Sequence, residues 1–230
     1  MIYTNEHSVS GIVKNLMYKI YGLMSVALVV TAVVAYYLSN QPLIMHKLLT
    51  NSWLIFGLFL VQILLVVILS AAILRLSFPV ALTLLMVYSA LMGITLSTII
   101  LIYTKQSIYT AFFVTSGMFG SMALYGYFTK TDLTSIGKYG LMALFGLIIG
   151  MIVNIFLKNG VMDYMLTLAG VAIFTLLTAY DVQKLKKIGS FLAGQGETIN
   201  KIAVLGALTL YLDFINLFLM ILRLMGRRKE

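Results

Sequence analysis

Seven long apolar stretches divide this chain and limit its fold more strongly than any other feature. About 20 apolar residues in a helix are enough to cross the hydrocarbon core of a bilayer. With 61% hydrophobic residues, the chain also has more apolar surface than one soluble core could bury. We therefore expect an all-α membrane protein with seven transmembrane helices. The predicted spans are 16–38, 53–74, 80–103, 108–128, 139–157, 161–180 and 202–222.

The loops between these spans leave no room for a soluble domain. We expect one transmembrane domain over residues 16–222, with an N-terminal tail at 1–15 and a basic C-terminal tail at 223–230. The segment 184–201 is expected to form a long loop between the last two spans. Residues 16–38 lack the short apolar core and small-residue cleavage site of a signal peptide, so we expect a mature helix there. The chain has no cysteine, which excludes disulfides and thiolate metal sites.

The net charge of +9 would suggest a nucleic-acid partner in a soluble protein. Here the cations lie at helix ends and in loops, where they set membrane orientation, so we expect a lipid bilayer and no nucleic acid as partner. If the chain crosses the membrane seven times, nine of the 16 Lys and Arg lie on the same side of the membrane as the N-terminus and seven lie on the other side. We expect a cytoplasmic N-terminus and leave the side of the C-terminus open.

Asp181 and Asp213 are the only acidic residues predicted at or inside hydrophobic helices. A carboxylate in a bilayer costs about 2.5 to 3.5 kcal/mol on insertion scales, so such residues are candidates for ion or proton handling. The other five acids are expected in tails or loops; they are Glu6, Asp132, Asp163, Glu197 and Glu230.

Each of these two aspartates lies on a polar stripe of its helix, at the spacing of 3.6 residues per turn. We expect the two stripes to face each other, with the carboxyl groups within hydrogen-bond reach. The last helix should then be interior and surrounded by the other six. The last stripe consists of Gly206, Thr209, Asp213, Asn216 and Arg223, and the preceding one of Thr167, Gly170, Thr178 and Asp181.

Two segments of the chain resemble motifs of a known family. Residues 178–186 and 208–218, the latter followed by Leu222 and Arg223, are similar to motifs of the Bax inhibitor family in its bacterial branch. The shorter segments 93–96 and 154–156 agree with it. The similarity extends over nearly the whole chain, and the motif around Asp213 is the most specific.

The resemblance implies a seven-helix bundle in which two groups of three helices wrap a central last helix, in a bacterial inner membrane. It also implies a calcium leak governed by pH, with Asp181 and Asp213 as the sensor. In the family, an arginine near the end of the second helix acts as a latch for one aspartate, and Arg75 lies in the matching region. A lone arginine between two spans is also typical of a topology anchor, and both interpretations of Arg75 stay open.

The chemistry of a carboxyl pair agrees with such a sensor. Two carboxylates close together in low dielectric cannot both ionise without a large cost, so they tend to share one proton. The ionised pair repels and becomes a transient ligand for calcium, which prefers oxygen; Thr178, Thr209 and Asn216 are the expected supporting groups. We expect no cofactor, with calcium and protons as the permeant or titrating ions.

Three alternatives remain for the aspartate pair. It could simply tie two helices together through hydrogen bonds. An intramembrane aspartyl protease also uses one aspartate on each of two helices, and Tyr180-Asp181 matches the first half of the presenilin-like signature. The second half, Gly-x-Gly-Asp, is absent before Asp213, so we expect no enzymatic activity. A non-catalytic regulator of membrane proteases or quality control would require a protein partner.

Overall fold

The computed structural model describes the backbone of residues 3–192 and 196–229, and the side chains of residues 10–192 and 197–229. These residues form eight α-helices and no strand, which confirms the all-α prediction. The helices are α1 (Tyr3–Ser39), α2 (Pro42–Thr50), α3 (Ser52–Ala72), α4 (Phe78–Ile102), α5 (Lys105–Phe128), α6 (Thr134–Leu157), α7 (Gly160–Phe191) and α8 (Gly196–Met225).

Seven of these helices are long and apolar enough to cross a membrane, as the sequence predicts. The protein is therefore a multi-pass membrane protein. The additional helix, α2, has only 9 residues and lies between the first two spans. It was not predicted, because its length is far below that of a span. Pro42 begins it, at a position where the missing proline N–H costs no helical hydrogen bond.

The predicted long loop at 184–201 is wrong. Helix α7 continues to Phe191 and α8 begins at Gly196, so only a short link separates them. The basic residues after Asp181 have good helix propensity and extend α7 beyond its apolar part. Asp163 and Glu197 were grouped with the acids of tails and loops, although the predicted span 161–180 already includes Asp163. Both lie in the first turns of their helices, α7 and α8, where a negative charge interacts favourably with the helix dipole.

The ends of the domain differ in detail from the sequence boundaries. Helix α1 begins at Tyr3, and its candidate span begins at Ser10, inside the segment 1–15 predicted as a tail. Helix α8 ends at Met225, close to the predicted start of the basic tail. The division into two tails and one transmembrane domain stays a prediction.

Helix α8 is by far the most buried of the candidate spans. In its most apolar segment 61% of residues are buried, against 11 to 33% in the other six. A helix that is apolar around most of its circumference is stable when protein covers it on several sides. This burial agrees with an interior helix, while its central position among the other six stays a prediction.

Residue contacts divide the chain into two compact units. The first comprises Met1–Tyr103, Ile188–Tyr211 and Lys229–Glu230, and the second comprises Thr104–Lys187 and Leu212–Arg228. Asp181 and Asp213 both belong to the second unit, whereas Arg75 and Thr209 belong to the first.

The first unit is held by a buried hydroxyl network around Tyr211. The Tyr211 hydroxyl lies 2.7 Å from Oγ1 of Thr31, which lies 2.9 Å from the carbonyl oxygen of Ser89. The Tyr211 ring packs edge-on against Tyr88 at 5.8 Å between centroids. Because a buried hydroxyl needs a partner, this network ties the N-terminal half of α8 to α1 and α4.

The second unit is held by glycines of α5 and α6 that pack against α7. Gly126 abuts the backbone carbonyl of Ala179, and Gly137 abuts the ring of Tyr180. Gly140 leaves room for Leu177 in the same way. Small residues permit such close approach of helices, which drives their association in lipid. The turn of α7 before Asp181 is therefore held in place by contacts with α5 and α6.

We expect Gly126→Ala to destabilise the protein by about 1 to 3 kcal/mol, because the added methyl group would overlap the Ala179 carbonyl. Thermal unfolding of the purified protein in detergent measures the loss. Gly117→Ala is the matched control, since no atom lies within 4 Å of its added Cβ. Equal midpoints for the two variants would contradict the close contact between α5 and α7.

Candidate functional site

Asp181 of α7 and Asp213 of α8 meet within the second unit. Their carboxyl groups are close enough to interact with each other, in agreement with the two polar stripes. Asp213 is 6% exposed and Asp181 is half-buried. That the two carboxyl groups lie within hydrogen-bond reach stays a prediction, as do their roles as sensor and ion pathway.

A hydrogen bond between these two side chains would require a proton on one of the two carboxyl groups. A carboxylate only accepts hydrogen bonds, so two ionised aspartates have no donor between them. In the described part of the chain, no N–H or hydroxyl group donates to Oδ2 of Asp213. A buried acceptor without a donor is costly, and a proton shared with Asp181 removes that cost. The geometry therefore favours the singly protonated pair.

Phe214, the residue after Asp213, packs against α5. Phe214 packs edge-on against Phe112 and Phe119, with centroid distances of 5.8 and 5.5 Å. These contacts hold α8 against α5 next to the carboxyl pair. Lys184 lies one helical turn after Asp181, and its positive charge interacts with that carboxyl group. The Lys184 side chain is exposed, with its ammonium 5.7 Å from the ring centroid of Tyr180.

The three predicted supporting groups are not bonded to the pair. The hydroxyl of Thr178 donates to the carbonyl of Phe174 at 2.8 Å, and that of Thr209 donates to Leu205 at 3.0 Å. Both hydroxyls are thus satisfied within their own helices, as is common for threonine in helices. Asn216 is half-buried on α8. A supporting role for these groups in cation binding stays a prediction.

Arg75 lies in the turn that follows α3, in the first unit. Its backbone N–H donates to the carbonyl of Ala72 at 2.8 Å, and its side chain is exposed. Within the described ranges, its guanidinium makes no ion pair. Neither the latch nor the topology anchor is tested by this arrangement.

No group of three or more His, Cys, Asp or Glu side chains that could hold a metal ion occurs among the residues described. Asp181 and Asp213 provide two carboxylates, whereas calcium usually takes six to eight oxygen ligands. Water and backbone carbonyls would have to complete such a shell. A site of this kind would bind calcium only transiently, so the proposed metal role of the pair stays a prediction.

A second charged site was missed by the sequence reasoning. Arg223, in the last turn of α8, forms a forked ion pair with Asp163, in the first turn of α7, and its Nε lies 3.1 Å from Oδ2. Asn154 of α6 donates to the same carboxylate at 3.4 Å. The signal was present, because an acid in a first turn and a base in a last turn complement the two helix dipoles. Assigning Asp163 to a loop concealed it.

Gln183 is a further buried side chain that the sequence reasoning missed. Its side-chain oxygen accepts the N–H of Leu133 at 2.9 Å, and its amide donates to the carbonyl of Thr131 at 2.8 Å. The amide therefore fixes the α5–α6 loop against α7, two residues after Asp181. A single glutamine next to cations gave no indication of this role.

An exposed ion pair supports the same loop. Lys187 lies 2.6 Å from Asp132, and this hydrogen bond, together with one from Thr134, lowers the pKa of Asp132 to about 2. A lowered pKa means that the ion pair persists above pH 4 and is lost only as the pH falls toward 2. Asp132 therefore stays ionised near neutral pH, and its charge does not change there.

These features define a class: multi-pass helical membrane proteins with two neighbouring carboxyl groups on their last two helices. A profile of the family described as "Inhibitor of apoptosis-promoting Bax1" matches residues 13–230. The chain belongs to this family, the Bax inhibitor family, as the resemblance of its motifs indicates.

Relatives at high identity cover almost the whole chain. The "Inner membrane protein YbhL" of Escherichia coli is 48% identical over 214 residues, which cover 93% of this chain and 92% of that protein. An uncharacterized protein of Borreliella burgdorferi is 44% identical, with 92% and 91% covered. An uncharacterized membrane protein of Streptococcus pyogenes is 36% identical, with 91% of each chain covered.

We expect Gln183→Leu to destabilise the protein by about 1 to 3 kcal/mol, because it leaves the Leu133 N–H and the Thr131 carbonyl without partners. Hydrogen exchange of residues 129–133 should accelerate in parallel. Lys187→Gln removes only an exposed ion pair and should leave both measurements nearly unchanged. Slow exchange of this loop in the leucine variant would show that Gln183 does not fix it.

Proposed function

We propose that this protein is a pH-sensitive leak channel for calcium, and that Asp181 and Asp213 gate it by sharing a proton. The observation that carries the proposal is that the two carboxyl groups are neighbours and that the buried Oδ2 of Asp213 has no N–H or hydroxyl donor among the described residues. A structural tie between helices could be made by neutral amides or hydroxyls. A buried acid pair is more costly than either, which favours a role that needs its charge.

The gate follows from the charge of the pair. With one proton, the two carboxyl groups are joined by a hydrogen bond that holds α7 and α8 together. Without that proton, the carboxylates repel each other in a medium of low dielectric and attract a hard divalent cation. A conducting site must also release its ion, and two carboxylates with water as further ligand give weak enough binding. Flux should therefore be small at acid pH and rise with pH.

We further propose the bacterial inner membrane as its location, with the N-terminus in the cytoplasm. The relative from Escherichia coli is named an inner membrane protein. Nine Lys and Arg lie on the same side of the membrane as the N-terminus if the chain crosses seven times, and this excess supports the orientation.

The same carboxyl pair also supports a second candidate, an intramembrane aspartyl protease. Such an enzyme activates a water molecule between two carboxyl groups that share a proton. The residues before Asp213 are Leu210, Tyr211 and Leu212, without the glycines of the protease signature, and this favours the channel. A regulator of membrane proteases or quality control would instead act through a protein partner, with no change in ion flux.

We expect calcium uptake into proteoliposomes to rise with pH for the wild type, and Asp213→Asn to abolish this dependence. An amide cannot ionise, so the variant can never carry the two negative charges that repel each other, and it also loses calcium selectivity. Asp181→Asn should act in the same direction. The measurement is the initial uptake rate at several pH values, with calcium and potassium compared.

Asp132→Asn is the matched control, since it neutralises an aspartate that has no charge change near neutral pH. Identical pH curves for the wild type and both site variants would reject the gate. Cleavage of a membrane-embedded peptide by the same preparation would favour the protease, and loss of activity in both site variants would assign it to the pair.

We expect Arg75→Ala to move the midpoint of the pH response by about one unit toward alkaline pH if Arg75 is a latch. One pH unit corresponds to about 1.4 kcal/mol, the interaction that a latch of this size would lose with the arginine charge. Lys14→Ala is the control, because it removes another cation from the same side of the seven-span order. An unchanged midpoint in Arg75→Ala would make Arg75 a topology anchor only.

A further inference from the structure

A polar cavity of about 770 Å³ lies at the turn between α6 and α7, entirely within the second unit. Its lining combines the end of α6, the start of α7 and the end of α8. It contains none of the residues of the carboxyl pair. The polar residues that matter here are Asn154, Lys158, Asn159, Asp163, Arg223 and Arg228.

The backbone of this turn is fixed by its own side chains. Lys158 adopts a left-handed conformation with φ of 51°, and its N–H donates to the carbonyl of Asn154 at 2.8 Å. The side-chain oxygen of Asn154 accepts the N–H of Asn159 at 3.0 Å. The side chain of Asn159 in turn accepts the N–H of Met162 at 3.0 Å. The wall of the cavity is therefore preorganised, which reduces the entropy lost when a ligand binds.

The charges in the cavity do not balance. Asp163 is the only acid in the lining, and it is already paired with Arg223. Lys158 and Arg228 are exposed and have no acidic partner among the described residues. Three cations and one carboxylate leave two positive charges, next to the positive N-terminal end of the α7 dipole. This combination favours an anion, and phosphate in particular.

An apolar surface continues directly from the cavity. Ile155 lines it, and Phe156 and Leu157 follow on the last turn of α6; these three side chains are 68, 81 and 63% exposed. Val161, at the start of α7, is 75% exposed. In a membrane protein these side chains face lipid rather than water. An anion in the cavity would thus lie at the edge of the hydrocarbon layer, where phospholipid headgroups lie.

We propose that this cavity binds the phosphate group of an anionic phospholipid, with the acyl chains against Ile155, Phe156 and Leu157. Lys158 and Arg228 hold the phosphate, and the Asp163–Arg223 pair keeps α7 and α8 together beneath it. Free inorganic phosphate offers the same charge but no acyl chains, so the apolar surface separates the two sources. The site is independent of the proposed channel and of its gating aspartates.

The test measures lipid retained by the full-length protein. Purified protein is extracted from vesicles of phosphatidylcholine with a minor share of phosphatidylglycerol, and bound lipid is counted by native mass spectrometry. We expect the wild type to retain phosphatidylglycerol in preference to phosphatidylcholine. The double variant Lys158→Gln with Arg228→Gln should reduce this preference about tenfold or more, because two surface cations are removed. Lys158→Arg with Arg228→Lys keeps both charges and should preserve it.

The double variant Lys105→Gln with Arg227→Gln is the control, because it removes two exposed cations of the second unit that do not line the cavity. Retention at the wild-type level in this control and its loss in the cavity variant support the site. An equal loss in both variants would mean unspecific surface attraction, and no loss in either would overturn the proposal. Displacement of the lipid by millimolar inorganic phosphate would likewise overturn it and make the cavity a site for free phosphate.

Discussion

A proton shared between the neighbouring Asp181 and Asp213 is the interaction on which the proposed function depends. Two carboxylates have no donor between them, so a hydrogen bond between these side chains needs one proton for two acids. Burial makes that proton hard to replace, because no other donor in the described residues reaches Oδ2 of Asp213. A contact of this kind links the charge of the pair directly to the packing of α7 against α8.

Much of the second unit holds these two side chains in place. Gly126 and Gly137 let α5 and α6 approach the turn of α7 that precedes Asp181. Gln183 then fixes the α5–α6 loop one half-turn later, and the aromatic contacts of Phe214 hold α8. Such a rigid frame means that breaking one carboxyl hydrogen bond changes how two helices meet, rather than the position of one side chain.

The sequence predicted those parts of the structure that follow from the length of apolar segments and from the 3.6-residue spacing of polar side chains. Seven apolar segments gave seven spans, and two polar stripes placed Asp181 and Asp213 on facing surfaces. The wrong helix boundaries came from polar segments, because the same residues are compatible with a loop or with the continuation of a helix. Lys184 to Lys187 continue α7, and Asp163 begins it. The partners of Gln183 could not be predicted, because they lie 50 and 52 residues away in a loop without a pattern.

Infrared difference spectroscopy between acid and alkaline pH tests the shared proton most directly. It detects the carbonyl band of a protonated aspartate in the intact protein. The wild type should show one such band that disappears as the pH rises, and either Asp181→Asn or Asp213→Asn should remove or strongly shift it, because both side chains hold the same proton. Bands that respond independently to the two substitutions, or no band at acid pH, would contradict a shared proton.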